Sequence, residues 1–524
     1  MSKQKVVYGY NGMVATTQPS AAQAGLDILK KGGNAIDAAV ATAACLTVVE
    51  PTSCGIGGDA FAIIWHDGKM HGLNSSGFAP YGISIEKLKE KGYTKIPEYG
   101  WCSVTVPGVP AAWRELSDKF GRLGMAETLN PAIKYAEGGY PVSPTVAYSW
   151  GKAFEIYKEA LKGKEFKFWF DTFAPKGRAP LAGEVWGSSD LANSLKKIAQ
   201  TDSTSFYTGE LAEKIDKFSR DYNGFIRKED LEAFKPIWVD PISINYKGYD
   251  VWELPPNGQG LVTLIALNIL KGFDYKKDDA ETIHRQIEAI KLSFADGKEY
   301  ITDADRMRLN PEVFLTDEYG KRKRNLIGEN AKVPMPGKAK SGGTVYLATA
   351  DSGGNMVSYI QSNYRNSGSG LVVPNTGIAL QSRGVDFSLN PEDANCLEPG
   401  KRSYHTIIPG FITKNGEAMG PFGVTGAYMQ PQGHVQVLTN MLELGLNPQE
   451  ALDAHRWQWT VGNTVLVEPD FPMDIAKGLA EMGHNIITEQ DISTFGRGQI
   501  IIRNKSGVLA GGTECRADGS VAVW

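Results

Sequence analysis

The segment Gly342-Gly343-Thr344 has the residue types that threonine-based amide chemistry requires. A threonine hydroxyl becomes a usable nucleophile when the peptide bond before it is cut, because the newly freed α-amine then serves as its base. Such a device needs a small residue before the threonine and a rigid strand after it. Gly343 meets the first need, and Thr344 to Ala350 reads as a buried strand. The plainer reading is that threonine simply favours strands and that two glycines mark a turn.

Competing chemistries lack their residues. The chain has no His-Glu-x-x-His, no Gly-x-Ser-x-Gly elbow and no Cys/His pattern spaced for a metal. Neither a metal nor a cofactor is expected. The loop Gly55-Ile56-Gly57-Gly58 invites a phosphate-binding reading, but phosphate loops follow a strand and open a helix. This loop follows a helix and opens a strand, roughly Ala60 to Trp65. His434, at the start of a helix, reads as a cap or packing residue rather than a general base. Lys321 to Arg324 reads as a solvated run, and Trp457 and Trp459 read as core.

The elements that must position Thr344 follow from pattern. Ser20 is placed to cap a first helix ending at Gly32-Gly33, and Asn34 to cap a second, alanine-rich helix to about Val48. The middle of the chain is mostly helical, with Ala111 to Phe120, Met125 to Glu137, Leu191 to Ala199, Leu211 to Ser219 and Ala280 to Ile301 predicted. One strand is predicted from Ile242 to Tyr249. Thr316 to Gly343 is polar and basic, includes Pro334, Pro336 and Lys338 to Lys340, and reads as an exposed connection running straight into the Thr344 strand. Asp351 to Asn355 then turns the chain into an antiparallel partner from Met356 to Gln361. Further strands are predicted at Ile407 to Ile412, Glu417 to Gly420, Val465 to Val467, Gly498 to Arg503 and Val508 to Gly512. Helices are predicted at Gln432 to Leu444 and Pro448 to Trp457.

Composition narrows the function classes. The chain has 524 residues, and 55 basic against 59 acidic side chains leave a net charge of −4, so no basic field exists to hold nucleic acid. With 42% hydrophobic residues the chain is compact and folded. Cys45, Cys54, Cys102, Cys396 and Cys515 are odd in number and scattered, which argues against a disulfide framework. The amino terminus has no apolar signal region and no stretch is long enough to span a membrane, so a cytoplasmic, soluble protein is expected.

The succession of segments resembles the γ-glutamyltranspeptidase family of N-terminal nucleophile hydrolases. It comprises the hairpin from Gly25 to Val40, then Glu50-Pro51, Gly55-Ile56-Gly57-Gly58, Val106-Pro107-Gly108, Asp230-Leu231, Pro255-Pro256 and the helix Glu288 to Asp296. It closes with Thr344 to Asp351 followed by Gly354-Asn355, similar to the start of the family's small subunit. The resemblance implies an α/β fold, the αββα sandwich of this superfamily. It also implies self-cleavage at Gly343-Thr344 into segments 1–343 and 344–524, associated as a heterodimer and possibly as a dimer of these. Thr344 would be the nucleophile, Ser362 a supporting hydroxyl, Asp386 the acid that grips a substrate α-ammonium, and Gly426 and Ala427 the oxyanion-hole pair.

The substrate shell departs from the family pattern. The arginine expected to hold the α-carboxylate falls at Ser76, the paired serines are His405-Thr406, a glutamine is Arg383, and an asparagine is Tyr364. Arg383 is the candidate replacement cation, with a surface or structural arginine as the alternative. The resemblance therefore implies an enzyme acting on γ-glutamyl, glutathione-like amides. Cephalosporin or glutaryl acylase chemistry and an unprocessed, inactive binding homologue are the alternatives.

Overall fold

The structure, a computed structural model of the chain, describes residues 5–333 and 343–524. Two seven-stranded antiparallel sheets form its centre. The first runs Ser520–Val523, Gly12–Thr16, Gly343–Asp351, Met356–Tyr364, Asp59–His66, Lys69–Ser75 and Ile237–Val239. The strand that begins with the candidate nucleophile is thus near its middle, paired on both edges.

Strand alternation builds the layers. Tyr346, Ala348 and Ala350 point one way and meet Phe411, Ile501 and Leu509 of the second sheet, which makes the layer between the sheets. Val345, Leu347, Val357 and Tyr359 point the other way into the helices Ala35–Val49, Val109–Phe120 and Ser189–Gln200. On the far side, Val251, Ile412, Phe422 and Ile500 pack against Gly260–Leu270, Ala280–Tyr300 and Gln430–Leu442. Helix, sheet, sheet and helix stack in that order, giving the expected αββα sandwich.

The buried helix Ala35–Val49 seats against the nucleophile sheet, and every residue in it is buried. Asn34 caps it, accepting from the Ile36 and Asp37 amides while Asp37 answers with a hydrogen bond from the Asn34 amide. Asp351, at the end of the nucleophile strand, accepts from the Ala35 amide at 2.9 Å and so pins strand to helix. Gly25 allows the hairpin to close, since a Cβ there would stand 2.2 Å from Thr42 Oγ1.

Several sequence expectations need correction. Ser20 does not cap the first helix, which is Pro19–Lys30 with Gln18 before it, because Pro19 already takes the first helical position. Met125 to Glu137 is two helices, Gly124–Thr128 and Asn130–Gly138, the second beginning at Asn130-Pro131. The single strand at Ile242 is a hairpin of Ile242–Tyr246 and Tyr249–Glu253 turning at Lys247-Gly248, both with positive φ. The exposed connection contains a helix, Asp317–Arg324, because the Thr316 hydroxyl accepts from the Tyr319 amide and its four basic residues occupy the last turn. Pro334, Pro336, Lys338 to Lys340 and Gly342 lie outside the described residues. The helix from Pro448 ends at Asp453, and Trp457 opens a strand, Trp457–Val461. Pro144–Ala160 is a helix that pattern alone did not single out.

Candidate active site

The sheet brings Thr344 and Ser362 side by side because their strands are adjacent and antiparallel. Pairing slips between Gly343 and Val345, so the strand carries an irregularity at Thr344 that re-aims its side chain. Thr344 Oγ1 lies 2.7 Å from the Gly343 carbonyl oxygen and 3.2 Å from Ser362 Oγ. The Ser362 hydroxyl donates to the same Gly343 oxygen at 2.6 Å and accepts from the Tyr364 amide at 2.8 Å. The Gly343 carbonyl is therefore polarised by one hydroxyl and approached by another. Gly343 must be small, since a Cβ would come within 2.8 Å of the Thr52 carbonyl oxygen.

Thr344 opens onto a cavity of about 340 Å³ lined in part by Ser53, Glu98, Tyr99, Lys152, Arg365 and Gly426. Gly426 and the adjoining Ala427 both adopt left-handed backbone, with φ of 113° and 52°. The alanine at this turn costs about 1–2 kcal/mol of backbone strain relative to glycine. Its carbonyl is held by Gln259 Nε2 at 2.8 Å, which fixes the turn.

The substrate-shell residues form a separate buried group. Arg383 is fully buried, and its Nη1 donates to Thr406 Oγ1 at 2.7 Å and lies 3.6 Å from Asp386 Oδ2. Among the described residues, Arg383 Nε and Nη2 and Asp386 Oδ2 have no hydrogen-bond partner. A buried guanidinium with two open donors beside a carboxylate with an open oxygen has valences that a polar ligand can fill. Tyr364 covers them, its ring centroid 4.0 Å from the guanidinium and its hydroxyl donating to Asp386 Oδ1 at 2.8 Å.

His405 is buried but engaged elsewhere. Its Nδ1 accepts from the Ile407 amide and its Nε2 lies 3.1 Å from Asp59 Oδ2, so it positions its neighbours rather than meeting the Thr344 cavity. Ser76, where the resemblance places an arginine, bonds Asn74 and Asn257. Arg402 reaches this place, but it donates to the Ser76 and Lys235 carbonyls.

Asp59 was not foreseen from sequence, although it directly follows the Gly55 to Gly58 loop. It pairs across the sheet with Ser362 and accepts from Gly77 N and Gln381 Nε2. Burial pushes its carboxyl from 3.8 up to about 7, against the pull of Gln381 and Arg383. Burial, with Arg383 close by, holds His405 well below its usual value and therefore neutral. Because the Asp59 value is raised on folding, its contribution to stability is complete below about pH 4 and is lost as pH rises through about 7. The urea midpoint should accordingly fall over this window, and Asp59→Asn should flatten the fall. An unchanged slope in Asp59→Asn would refute this assignment.

The fold also gathers His284, Glu288 and His484, whose ligand atoms lie within 4.8 Å, a grouping that linear spacing hid. The Lys291 ammonium already donates to Glu288 Oε1 at 2.7 Å, and the two imidazoles bond each other at 2.8 Å. His434, as expected, is a packing residue, accepting from the Val424 amide and meeting Glu253 at 2.7 Å.

Comparison with known proteins agrees with this geometry. The sequence profile of the family described as gamma-glutamyltranspeptidase matches residues 21–524. The glutathione hydrolase-like YwrD proenzyme of Bacillus subtilis is 35% identical over 98% of this chain and 99% of its own length. The oxamate amidohydrolase proenzyme of Klebsiella pneumoniae is 33% identical over 98% of each chain. Among solved structures, a cephalosporin acylase from Bacillus halodurans superposes with a TM-score of 0.98 at 58% identity, covering 100% of this chain and 98% of that one. A match of this extent, together with the threonine, serine and glycine geometry, establishes that the chain belongs to the γ-glutamyltranspeptidase family of N-terminal nucleophile hydrolases.

Proposed function

We propose that this enzyme is an autoprocessed amidohydrolase and acyl transferase that works through a Thr344 acyl-enzyme on γ-glutamyl amides. The observation that carries the reading is the Thr344 hydroxyl beside a Gly343 carbonyl that Ser362 already polarises. In the uncleaved chain, Thr344 Oγ1 attacks the Gly343 carbonyl carbon. The C–N bond breaks, the amine takes the hydroxyl proton, and the chain is left joined by an ester. Water cleaves that ester to a Gly343 carboxylate and a threonine with a free α-amine.

The same hydroxyl then attacks a substrate amide. The α-amine accepts its proton and passes it to the leaving amine. The Gly426 and Ala427 amides supply the donors for the oxyanion. Water resolves the acyl-enzyme by hydrolysis, or an amine resolves it by transfer. The two products of processing, segments 1–343 and 344–524, stay together because strands of one pair with strands of the other in both seven-stranded sheets.

The substrate reading rests on the buried pair. Arg383 offers two open donors and Asp386 an open acceptor, a match for an α-carboxylate and an α-ammonium carried on one carbon. Relatives named as glutathione hydrolases support the same choice. A second reading, acylase chemistry on glutaryl-type amides, is favoured by the Tyr364 hydroxyl that already occupies Asp386 Oδ1. The five thiols, none in a disulfide, support a reducing, cytoplasmic setting.

Trapping tests the mechanism. Processed enzyme mixed with a slow γ-glutamyl anilide and quenched in acid should show the small fragment heavier by one acyl group, located on Thr344. Turnover without that mass gain would exclude the acyl-enzyme.

A further inference from the structure

Thr344 and Asp386 line different cavities, and one buried side chain bonds close to both. The cavity at Thr344 is not lined by Arg383 or Asp386. Asp386 instead lines a second cavity of about 210 Å³, with Lys298, Tyr404 and Tyr428 on its wall. That side chain is Tyr364. Its backbone amide bonds Ser362 Oγ, next to Thr344, while its phenol bonds Asp386 and lies against the Arg383 guanidinium.

Three features show that Tyr364 is held there rather than merely packed. Its backbone φ is 75°, a sparsely populated conformation for a bulky residue and one found at ligand clamps and switch positions. Its ring covers the guanidinium whose Nε and Nη2 have no partner among the described residues. Its hydroxyl stays a donor, because burial and then the Asp386 carboxylate push the phenol well above its ordinary value.

We propose that Tyr364 is the specificity-determining gate of the acyl pocket. Its phenol covers Arg383 and Asp386 and admits acyl groups whose α-ammonium replaces its hydrogen bond on Asp386. This rests on the amidohydrolase reading for its consequence, though not for its geometry. Short uncharged acyl groups react at Thr344 without opening the gate. Acyl groups that carry an α-ammonium beside a carboxylate displace the ring, the ammonium donating to Asp386 and the carboxylate accepting from the two open donors of Arg383.

Two measurements on the processed enzyme test this. The first is labelling of Arg383 by phenylglyoxal, read by peptide mass, in wild type, Tyr364→Phe and Tyr364→Ala. Tyr364→Phe cuts the bond to the carboxylate but keeps the ring, so labelling should be about tenfold faster than in wild type, and faster still in Tyr364→Ala. The second is the ratio of kcat/KM for a γ-glutamyl anilide to that for an acetyl anilide, which should rise by a similar factor in Tyr364→Phe, mainly through KM. Equal labelling in all three proteins would overturn the gate even if amides are turned over. Faster labelling in both variants with no amide turned over would uphold the gate and remove the amidohydrolase reading.

Discussion

Thr344→Ala is expected to run on a denaturing gel as one chain of 56.9 kDa, while wild type resolves into fragments of 343 and 181 residues, the smaller beginning at Thr344. The variant removes the hydroxyl that lies 2.7 Å from the scissile carbonyl oxygen and leaves the Gly343 packing against Thr52 and Ser53 intact. Strand pairing on both edges does not depend on the hydroxyl, so the uncut chain should fold. Amide turnover should vanish with processing, since both steps use the same oxygen. Thr344→Ser keeps the nucleophile and should still cut. Ser362→Ala removes the donor that polarises the Gly343 carbonyl and should slow cutting by about 10²–10³-fold, the usual loss for one such donor. Wild-type protein that stays intact after long incubation, or Thr344→Ala that is cut, would refute the scheme.

How far the site could be read in the sequence follows how local its parts are. Thr344 and Ser362 sit on consecutive strands joined by a short turn; strand pattern marked both strands, the partner only to Gln361, and Ser362 was named through the family resemblance. Asp59 and His405 are 346 positions apart and meet only in the folded chain. No local pattern reports that contact. Arg383 and Asp386 were legible as residue types, but their open valences and the Tyr364 ring over them exist only in the packed core. The fold itself was legible where alternation was clean, as at Tyr346, Ala348 and Ala350. It was misread where polarity outweighed a capping residue, as at Thr316 before the basic helix Asp317–Arg324.

That Arg383 and Asp386 are buried and incompletely bonded sets the second test, of substrate choice. Arg383→Ala is expected to lower kcat/KM for a γ-glutamyl anilide by about a hundredfold or more, because two charge-assisted hydrogen bonds to the α-carboxylate are lost in a dry site. Arg383→Lys should recover little, since an ammonium cannot present the same planar fork. Asp386 separates the two substrate readings. A glutaryl anilide has the same chain and terminal carboxylate but no α-ammonium. Wild type should therefore prefer the γ-glutamyl compound, Asp386→Ala should erase that preference, and Arg383→Ala should weaken both. The 3.6 Å gap between Arg383 Nη1 and Asp386 Oδ2 supports this order, because the two charges stand close enough to balance but too far apart to satisfy each other. A zwitterionic head closes both valences at once, whereas a glutaryl carboxylate closes only one. Equal or better turnover of the glutaryl compound in wild type, unaffected by Asp386→Ala, would assign the enzyme to acylase chemistry instead.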